Sequence, residues 1–287
     1  EARELFEAAG VDFDRPFWEA AFDGHMPSRL FVDDPERPCS ALLTRTYDFF
    51  LAGDASPALL QLLRDAPPET HLYEWFYGFV PLTAAWREAL PAALPDLTEI
   101  ERRVFRLTDE GFRRARNWDA RVPEGIRVVP LDAGLARRAD TDIPEVIGII
   151  WDGCERFAAS GWGYAELDSD GRVLSASYAC GLTDREMNLG VGTDQSAQRR
   201  GLGKLVCQAC IARAEREGLA VTWDCDQENI ASGKLAESLG FLEEDGFIEF
   251  GFSEPSMPTG VAGRWVAGRW VAEQIGDGVV RWRSREP

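Results

Sequence analysis

The run Glu186-Met187-Asn188-Leu189-Gly190-Val191-Gly192-Thr193, followed by Gln198-Arg199-Arg200-Gly201-Leu202-Gly203-Lys204, decides the fold. The first segment reads as a strand. After the second, Leu202, Leu205, Val206, Ala209 and Ala212 line one face of a helix that Gly218 stops. A glycine turn between a strand and a helix is where a phosphate group is expected, because the N–H groups of the first helical turn point outward and the helix dipole favours negative charge. Gly201 and Gly203 remove side chains, so a ligand can approach the backbone. Two familiar nucleotide loops are excluded by inspection. A P-loop needs a glycine where Gln198 stands and Ser or Thr where Leu205 stands. A dinucleotide fingerprint read from Gly201 needs a glycine where Val206 stands.

Working outward, Ile126 to Val129 is a short strand and Ile143 to Ser160 a helical stretch. Tyr164 to Leu167 and Val173 to Cys180 flank Ser169-Asp170-Gly171, a hairpin signal. Leu219 to Cys225 is a strand, Ile230 to Leu239 a helix stopped by Gly240, and Phe247 to Phe252 a closing strand. Upstream, Arg29 to Val32 and Ser40 to Arg45 flank a turn at Asp34–Pro38, with a third strand expected over Tyr47 to Ala52. Helices are expected over Pro57 to Arg64 and Leu82 to Leu90, with an aromatic, strand-like stretch from His71 to Val80 between them. The pattern breaks around Pro123, which sets expected domains of 1–122 and 123–255, with a tail at 256–287. In that tail Gly263-Arg264-Trp265-Val266-Ala267 repeats at once as Gly268-Arg269-Trp270-Val271-Ala272, and its five arginines and three tryptophans oppose an acidic body. Either a hairpin turning near Gly276-Asp277-Gly278 or a docking appendage fits it.

The 287 residues carry 31 Lys and Arg against 49 Asp and Glu, a formal charge of −18. That balance argues against nucleic acid, which is held mainly by neutralising phosphates, and against an anionic membrane surface. It favours cationic or amine partners through steering, beside the plainer reading of an acidic surface that aids solubility. The six cysteines are too thinly spread for a disulfide scaffold. Cys207 and Cys210 have no second pair to complete a zinc site, so they read as core residues and no metal is expected. No apolar run approaches the roughly 18 residues of a membrane span, and no signal segment opens the chain, so a cytoplasmic protein is expected.

At Gln198-x-x-Gly201-x-Gly203 the chain resembles the pyrophosphate loop of the GNAT superfamily of N-acetyltransferases. Trp223-Asp224-Cys225, then Asn229-x-x-Ser232-x-x-Leu235-Ala236-Glu237-Ser238-Leu239-Gly240-Phe241, resembles that superfamily's second signature. The Trp-Asp-Cys and Leu-Ala-Glu variants are similar to a bacterial branch with an extra N-terminal lobe, which the Val32-Asp33-Asp34 hairpin and Glu101-Arg102-Arg103 fit. The resemblance spans most of residues 25–253. It implies an α/β (α+β) GNAT fold: a central mixed, mostly antiparallel sheet flanked by helices, preceded by a degenerate GNAT-like lobe that covers the acceptor cleft. It also implies acetyl-CoA, or another acyl-CoA, as cofactor. Backbone groups of Val191 and Thr193 would pair with the pantetheine arm. The Gln198 loop, with backbone N–H groups from Arg199 through Arg200, Gly201, Leu202 and Gly203 to Lys204, would hold the pyrophosphate, and the Arg199 and Arg200 side chains would be available to phosphate. Asn229 and Ser232 would contact the far side of the arm. An exposed charged turn for the two arginines and a helix-surface hydroxyl for Ser232 stay open as plainer readings.

Acetyl transfer to an amine needs a neutral nucleophile, a polarised thioester carbonyl and a leaving thiol. The backbone N–H near Val191 would polarise the carbonyl. Many relatives protonate the leaving thiolate with a Tyr where Ala236 stands here, but a thiol of pKa about 8.5 leaves tolerably without one. Relatives often place a base on the strand before the loop, where this chain has Asn188, Gly190 and Gly192. Asp224 is the first candidate base, with Glu186 and Asp194 behind it. A carboxylate that caps the following turn is as good a reading of Asp224. A lysine-like amine of pKa about 10.4 is neutral less than about once in 10³ molecules at pH 7, so a weakly basic amine suits the site better. The expectation is an N-acyltransferase acting directly on a small amine of the antibiotic or biosynthetic-intermediate kind, with oligomeric state open. A catalytically degenerate acyl-CoA-binding module, or a tailoring acyltransferase on a peptide or carrier-bound substrate, are the alternatives.

Overall fold

A computed structural model of the chain describes residues 1–10, 15–45, 48–65, 78–138, 143–252, 269–274 and 280–285. The aromatic stretch from His71 to Tyr77, Tyr47, the first copy of the tail repeat and the Gly276-Asp277-Gly278 turn lie outside those residues. The chain divides into two compact units, residues 1–101 with 248–287, and residues 102–247. Residues 102–122, which the sequence reading keeps with the first lobe, cluster with the second.

The first unit begins with α1 (Ala2–Ala9) and α2 (Arg15–Phe22), then β1 (Ser28–Val32), β2 (Ser40–Arg45) and β3 (Asp48–Gly53). The turn between β1 and β2 is fixed by Asp34, whose Oδ1 accepts the backbone N–H groups of Glu36 and Arg37, each at 2.8 Å. The chain continues through α3 (Pro57–Asp65), β4 (Gly78–Pro81), α4 (Ala84–Ala93) and the long β5 (Leu97–Leu107), which passes into the second unit. There follow α5 (Asp109–Ala115), β6 (Arg127–Pro130), α6 (Ala133–Ala136), α7 (Ile143–Trp151), α8 (Cys154–Ser160), β7 (Gly163–Leu167), β8 (Val173–Leu182), β9 (Glu186–Thr193), α9 (Leu202–Glu217), β10 (Ala220–Asp226) and α10 (Ile230–Leu239). The long β11 (Phe241–Phe252) returns to the first unit, which also holds β12 (Arg269–Gln274) and β13 (Val280–Arg285).

Each unit is built on the same order: three antiparallel strands, a helix, a strand parallel to the third, a second helix and a last strand. In the first these are β1, β2, β3, α3, β4, α4 and β5; in the second β7, β8, β9, α9, β10, α10 and β11. The last strands are traded. Phe250 of β11 pairs with Phe79 of β4 in the first unit. Residues 102–106 of β5 pair antiparallel with residues 222–226 of β10 in the second. The second sheet therefore runs β5-β10-β9-β8-β7-β6 and is mixed, its one parallel pair being β9 with β10. The tail strands form an antiparallel pair, with β13 against β1.

Three departures from the sequence reading have local causes. The helical stretch over Ile143–Ser160 is broken into α7 and α8, because Asp152 and Gly153 take positive φ of 57° and 120°. β5 was not expected as a strand. It alternates charge and exposure until Val104 and Phe105, and its residues are ordered by cross-strand ion pairs rather than by an apolar face. α9 is buried almost all round, not on one face, since it packs on β7, β8 and β9 and against α5 and α10. Cys207 and Cys210 sit in that buried helix, where the Cys210 thiol lies 3.2 Å from the Ser177 carbonyl.

In the first unit β3 and β4 stay paired to the end of β4: Leu51 is level with Pro81, and the Leu82 N–H donates to the Leu51 carbonyl at 2.8 Å. The next two carbonyls are also taken. Trp86 Nε1 donates to Ala52 at 3.2 Å and Thr83 Oγ1 to Gly53 at 2.7 Å. Trp86 is fully buried in a core with Phe31, Phe49, Phe79, Leu90 and Phe250. Trp86→Ala should lower the unfolding free energy by about 3–5 kcal/mol, measured by urea denaturation. A loss below about 1 kcal/mol would show that this core does not depend on the indole.

Candidate active site

In the second unit the corresponding strands part. β9 and β10 pair over Glu186–Asn188 and Ala220–Thr222, and their register ends there, although β9 continues to Thr193 and β10 to Asp226. The fork is pinned by side chains. Asn188 Nδ2 donates to Thr222 Oγ1 at 3.4 Å and to Asp224 Oδ1 at 3.0 Å. The Arg102 guanidinium, from β5, donates to Asp224 Oδ2 and to Asp226 Oδ1.

The free side of β9 follows from its pairing with β8. The Asp194 N–H donates to the Leu174 carbonyl at 2.9 Å, and Thr193 stands opposite Ser175, Gly192 opposite Ala176 and Val191 opposite Ser177. Antiparallel pairs alternate between bonded and non-bonded positions. Asp194 and Gly192 therefore turn their backbone groups to β8, while Val191 and Thr193 turn theirs to the open side of the fork. The hydroxyls of Ser177 and Ser175 reinforce the first set by donating to the carbonyls of Gly190 and Gly192 at 2.9 and 3.0 Å.

Beyond β9 the chain makes the glycine turn. Arg199 has φ of 59° and Gly201 of 81°, so left-handed residues flank Arg200 and bend the backbone into a concave turn. No side chain caps α9 at Gly201, and the Leu205 N–H is the first to reach back, to the Gly201 carbonyl at 3.1 Å. The N–H groups of Leu202, Gly203 and Lys204 thus have no partner within the helix. Gly203 has no room for a side chain, since a Cβ there would lie 2.8 Å from Thr193 Oγ1, which is itself held by Ser175 Oγ at 2.8 Å. Gln198 closes the loop by donating from Nε2 to the Thr193 carbonyl at 3.3 Å. An uncapped helix start, a positive-φ turn and a glycine pressed on the strand end fit a diphosphate group. Arg200 and Lys204 also line a cavity of about 400 Å³ there.

The remaining expected residues are spread unevenly. Asn229 is the N-cap of α10, its Oδ1 accepting the Ser232 N–H at 3.1 Å, and Ser232 Oγ accepts from Trp223 Nε1 at 3.0 Å. Both therefore hold the start of α10 beside β10. Asp224 lies two residues beyond the last paired position of β10, as Gly190 does on β9, one residue before Val191. Both Asp224 oxygens are engaged, by Asn188 and Arg102. Glu186 opens β9, about 16 Å along the strand from Val191 at roughly 3.3 Å per residue, and accepts from Arg106 Nη1 at 3.0 Å. Asp194 is drawn the other way, its pKa lowered by the hydrogen bonds of the Ser196 hydroxyl and N–H and by the cation of Arg172. The Ala236 position, where a tyrosine is usual, is fully buried.

Sequence reasoning missed Arg102 as a partner of Asp224, since the two are 122 residues apart, and it missed Arg114, Arg121 and Gln208, which line the cavity. It also missed Glu166 on β7. That carboxyl is fully buried, and neither oxygen has a hydrogen-bond partner among the described residues. Burial pushes its pKa up to about 8, against the opposing pull of the Arg200 cation. The native state thus keeps a proton that the unfolded chain releases near the ordinary carboxylate value of 4.5. Stability from this group is full below about pH 4.5, falls by at most about 1.4 kcal/mol per unit as pH rises, and levels off above about pH 8. Glu166→Gln should remove that slope, so the Tm difference between variant and wild type should grow between pH 5 and 8. A constant difference would exclude the linkage.

Residues 5–248 match the sequence profile of a family described as GNAT acetyltransferase. The chain is 23% identical over 228 residues to the uncharacterized N-acetyltransferase YdfB of Bacillus subtilis (strain 168), covering 78% of this chain and 85% of that one. It is similar in fold to a GCN5-related N-acetyltransferase-like protein from Streptococcus suis 89/1591, with a TM-score of 0.69, 21% identity, and coverage of 88% of this chain and 98% of that one. A GCN5-related N-acetyltransferase from Sphaerobacter thermophilus matches with a TM-score of 0.50 at 14% identity, over 86% of this chain and 88% of that one. Among the described residues no helix is long and apolar enough to cross a membrane. The match to that profile over nearly the whole chain makes this protein a member of the GNAT acetyltransferase family, an acyltransferase.

Proposed function

We propose that the second unit transfers acetyl from acetyl-CoA directly to a small, weakly basic amine. The observation that carries this reading is the state of Asp224, the expected base that lies two residues beyond the last paired position of β10. Its two oxygens are already occupied by Arg102 and Asn188. A carboxylate whose two oxygens are turned toward a guanidinium and an amide is not turned toward an incoming amine, and geometry comes first for a general base. The amine must then react through the neutral fraction that its own equilibrium with solvent provides. At pH 7 that costs roughly 4 to 5 kcal/mol for a lysine-type amine of pKa about 10.4, and only about 1 kcal/mol for an α-amino group of pKa near 8.

Acetyl-CoA, when bound, supplies an activated acetyl thioester. The chain's own residues divide the rest of the work. Backbone N–H groups of the Gly201 turn hold the diphosphate, with Arg199 and Arg200 adding charge. Backbone groups of Val191 and Thr193 align the arm in the fork, and the Val191 N–H donates to the carbonyl that develops negative charge. Asn229 and Ser232 support the opposite wall. Asp224 is a positioning residue: held by Arg102, it ties β10 to Asn188 of β9 where the strands begin to part. The chain's charge of −18 draws a cationic acceptor toward the protein.

The test is thiol release with amines of graded pKa, each followed from pH 6 to 9.5. The reading expects kcat/KM to rise with pH to a plateau set by the amine's own pKa, and to keep that limb in Asp224→Asn even if the plateau falls. A limb that is independent of the amine and vanishes in Asp224→Asn would instead make Asp224 the base. CoA binding without turnover of any amine in the panel would favour a binding module.

A further inference from the structure

The cavity at the start of α9 is unlike the rest of this acidic chain. It measures about 400 Å³ and is lined by Arg114, Arg121, Arg200 and Lys204, with no carboxylate among its lining residues. Arg200 and Lys204 belong to the glycine turn. Arg114 and Arg121 belong to neither signature, coming from α5 and from the segment between α5 and β6. Their guanidinium groups are set in place. Arg121 Nη2 donates to the Arg114 carbonyl at 2.8 Å, and Arg114 Nε donates to Glu110 at 3.0 Å, which orients the rest of its fork. Gln208, one turn along α9 from Lys204, also lines the cavity. It is only 5% exposed, and its amide makes no hydrogen bond among the described residues. Its amide atoms are not sealed from solvent, so they are available to a ligand in the cavity. Cations beside a donor-acceptor amide suit a phosphorylated nucleoside: the guanidinium groups take the phosphate, and the amide takes a ribose hydroxyl or a base edge.

We propose that this cavity binds the ribose 3′-phosphate of the CoA nucleotide through Arg114 and Arg121, so that the protein selects CoA over its 3′-dephospho form. The inference rests on the acyl-CoA reading of the glycine turn. It adds that a segment outside the acetyltransferase signatures reads the far end of the cofactor. The diphosphate is common to both ligands and is held by the turn, so discrimination falls to the two arginines.

Isothermal titration of the full chain with CoA and with 3′-dephospho-CoA tests this without turnover. Wild type should bind CoA more tightly by about tenfold or more, the factor expected for one to two charge-assisted hydrogen bonds. Arg114→Ala/Arg121→Ala should bind the two ligands within about threefold of each other while keeping the wild-type affinity for 3′-dephospho-CoA, which also shows that the variant is folded. Equal wild-type affinities would overturn the 3′-phosphate assignment and leave the acyl-CoA reading intact. A preference that persists in the double variant would assign the phosphate to other residues and so overturn it too. Failure of wild type to bind either ligand would overturn both readings.

Discussion

The site depends on one constraint: two parallel strands that begin paired and then separate. β9 and β10 share register as far as Asn188 and Thr222, and beyond that point Val191 and Thr193 present backbone groups with no neighbouring strand in register. Open backbone inside a sheet is unfavourable unless something prevents closure. Where the shared register ends, Asn188 of β9 donates across to Asp224 of β10, and Arg102 of β5 holds Asp224 and Asp226 from the other side of β10.

The first unit is the counter-example within the same chain. It repeats the strand and helix order, but Leu82 continues the ladder from Leu51, and Trp86 and Thr83 take the next two carbonyls. Counted back from the strand ends, these are the carbonyls of the positions matching Val191, Gly192 and Thr193. Its turn from strand to helix, Gly53-Asp54-Ala55-Ser56-Pro57, has no glycine at the helix start. The same architecture is therefore open in one unit and sealed by its own side chains in the other. The traded strands β5 and β11 connect the two histories: the strand that follows the first unit's helices supplies Arg102 to the second unit's fork.

Much of this was legible in sequence because it is local. Gly201 and Gly203 mark a turn that needs positive φ and close backbone approach. Gly218 and Gly240, read as helix stops, end their helices in left-handed conformations. The elements that escaped lack a local signal. β5 carries glutamates and arginines where a strand usually alternates apolar residues. The interruption between α7 and α8 rests on Asp152, a non-glycine residue with positive φ. Glu166 reads as an ordinary polar strand residue, and only its burial under α9 makes it a carboxyl that keeps its proton near neutrality.

What the sequence determined by itself is the order of elements from β7 to α10, the glycine turn and the family, since each is set by residues a few positions apart. Tertiary structure alone decided that Asp224 is occupied rather than free, that Arg114 and Arg121 meet Lys204 and Gln208 around one cavity, and that the first unit's fork is shut. Those outcomes join residues from about 30 to more than 120 positions apart, and pairing at that range is chosen by strand register and packing, which no local spacing encodes.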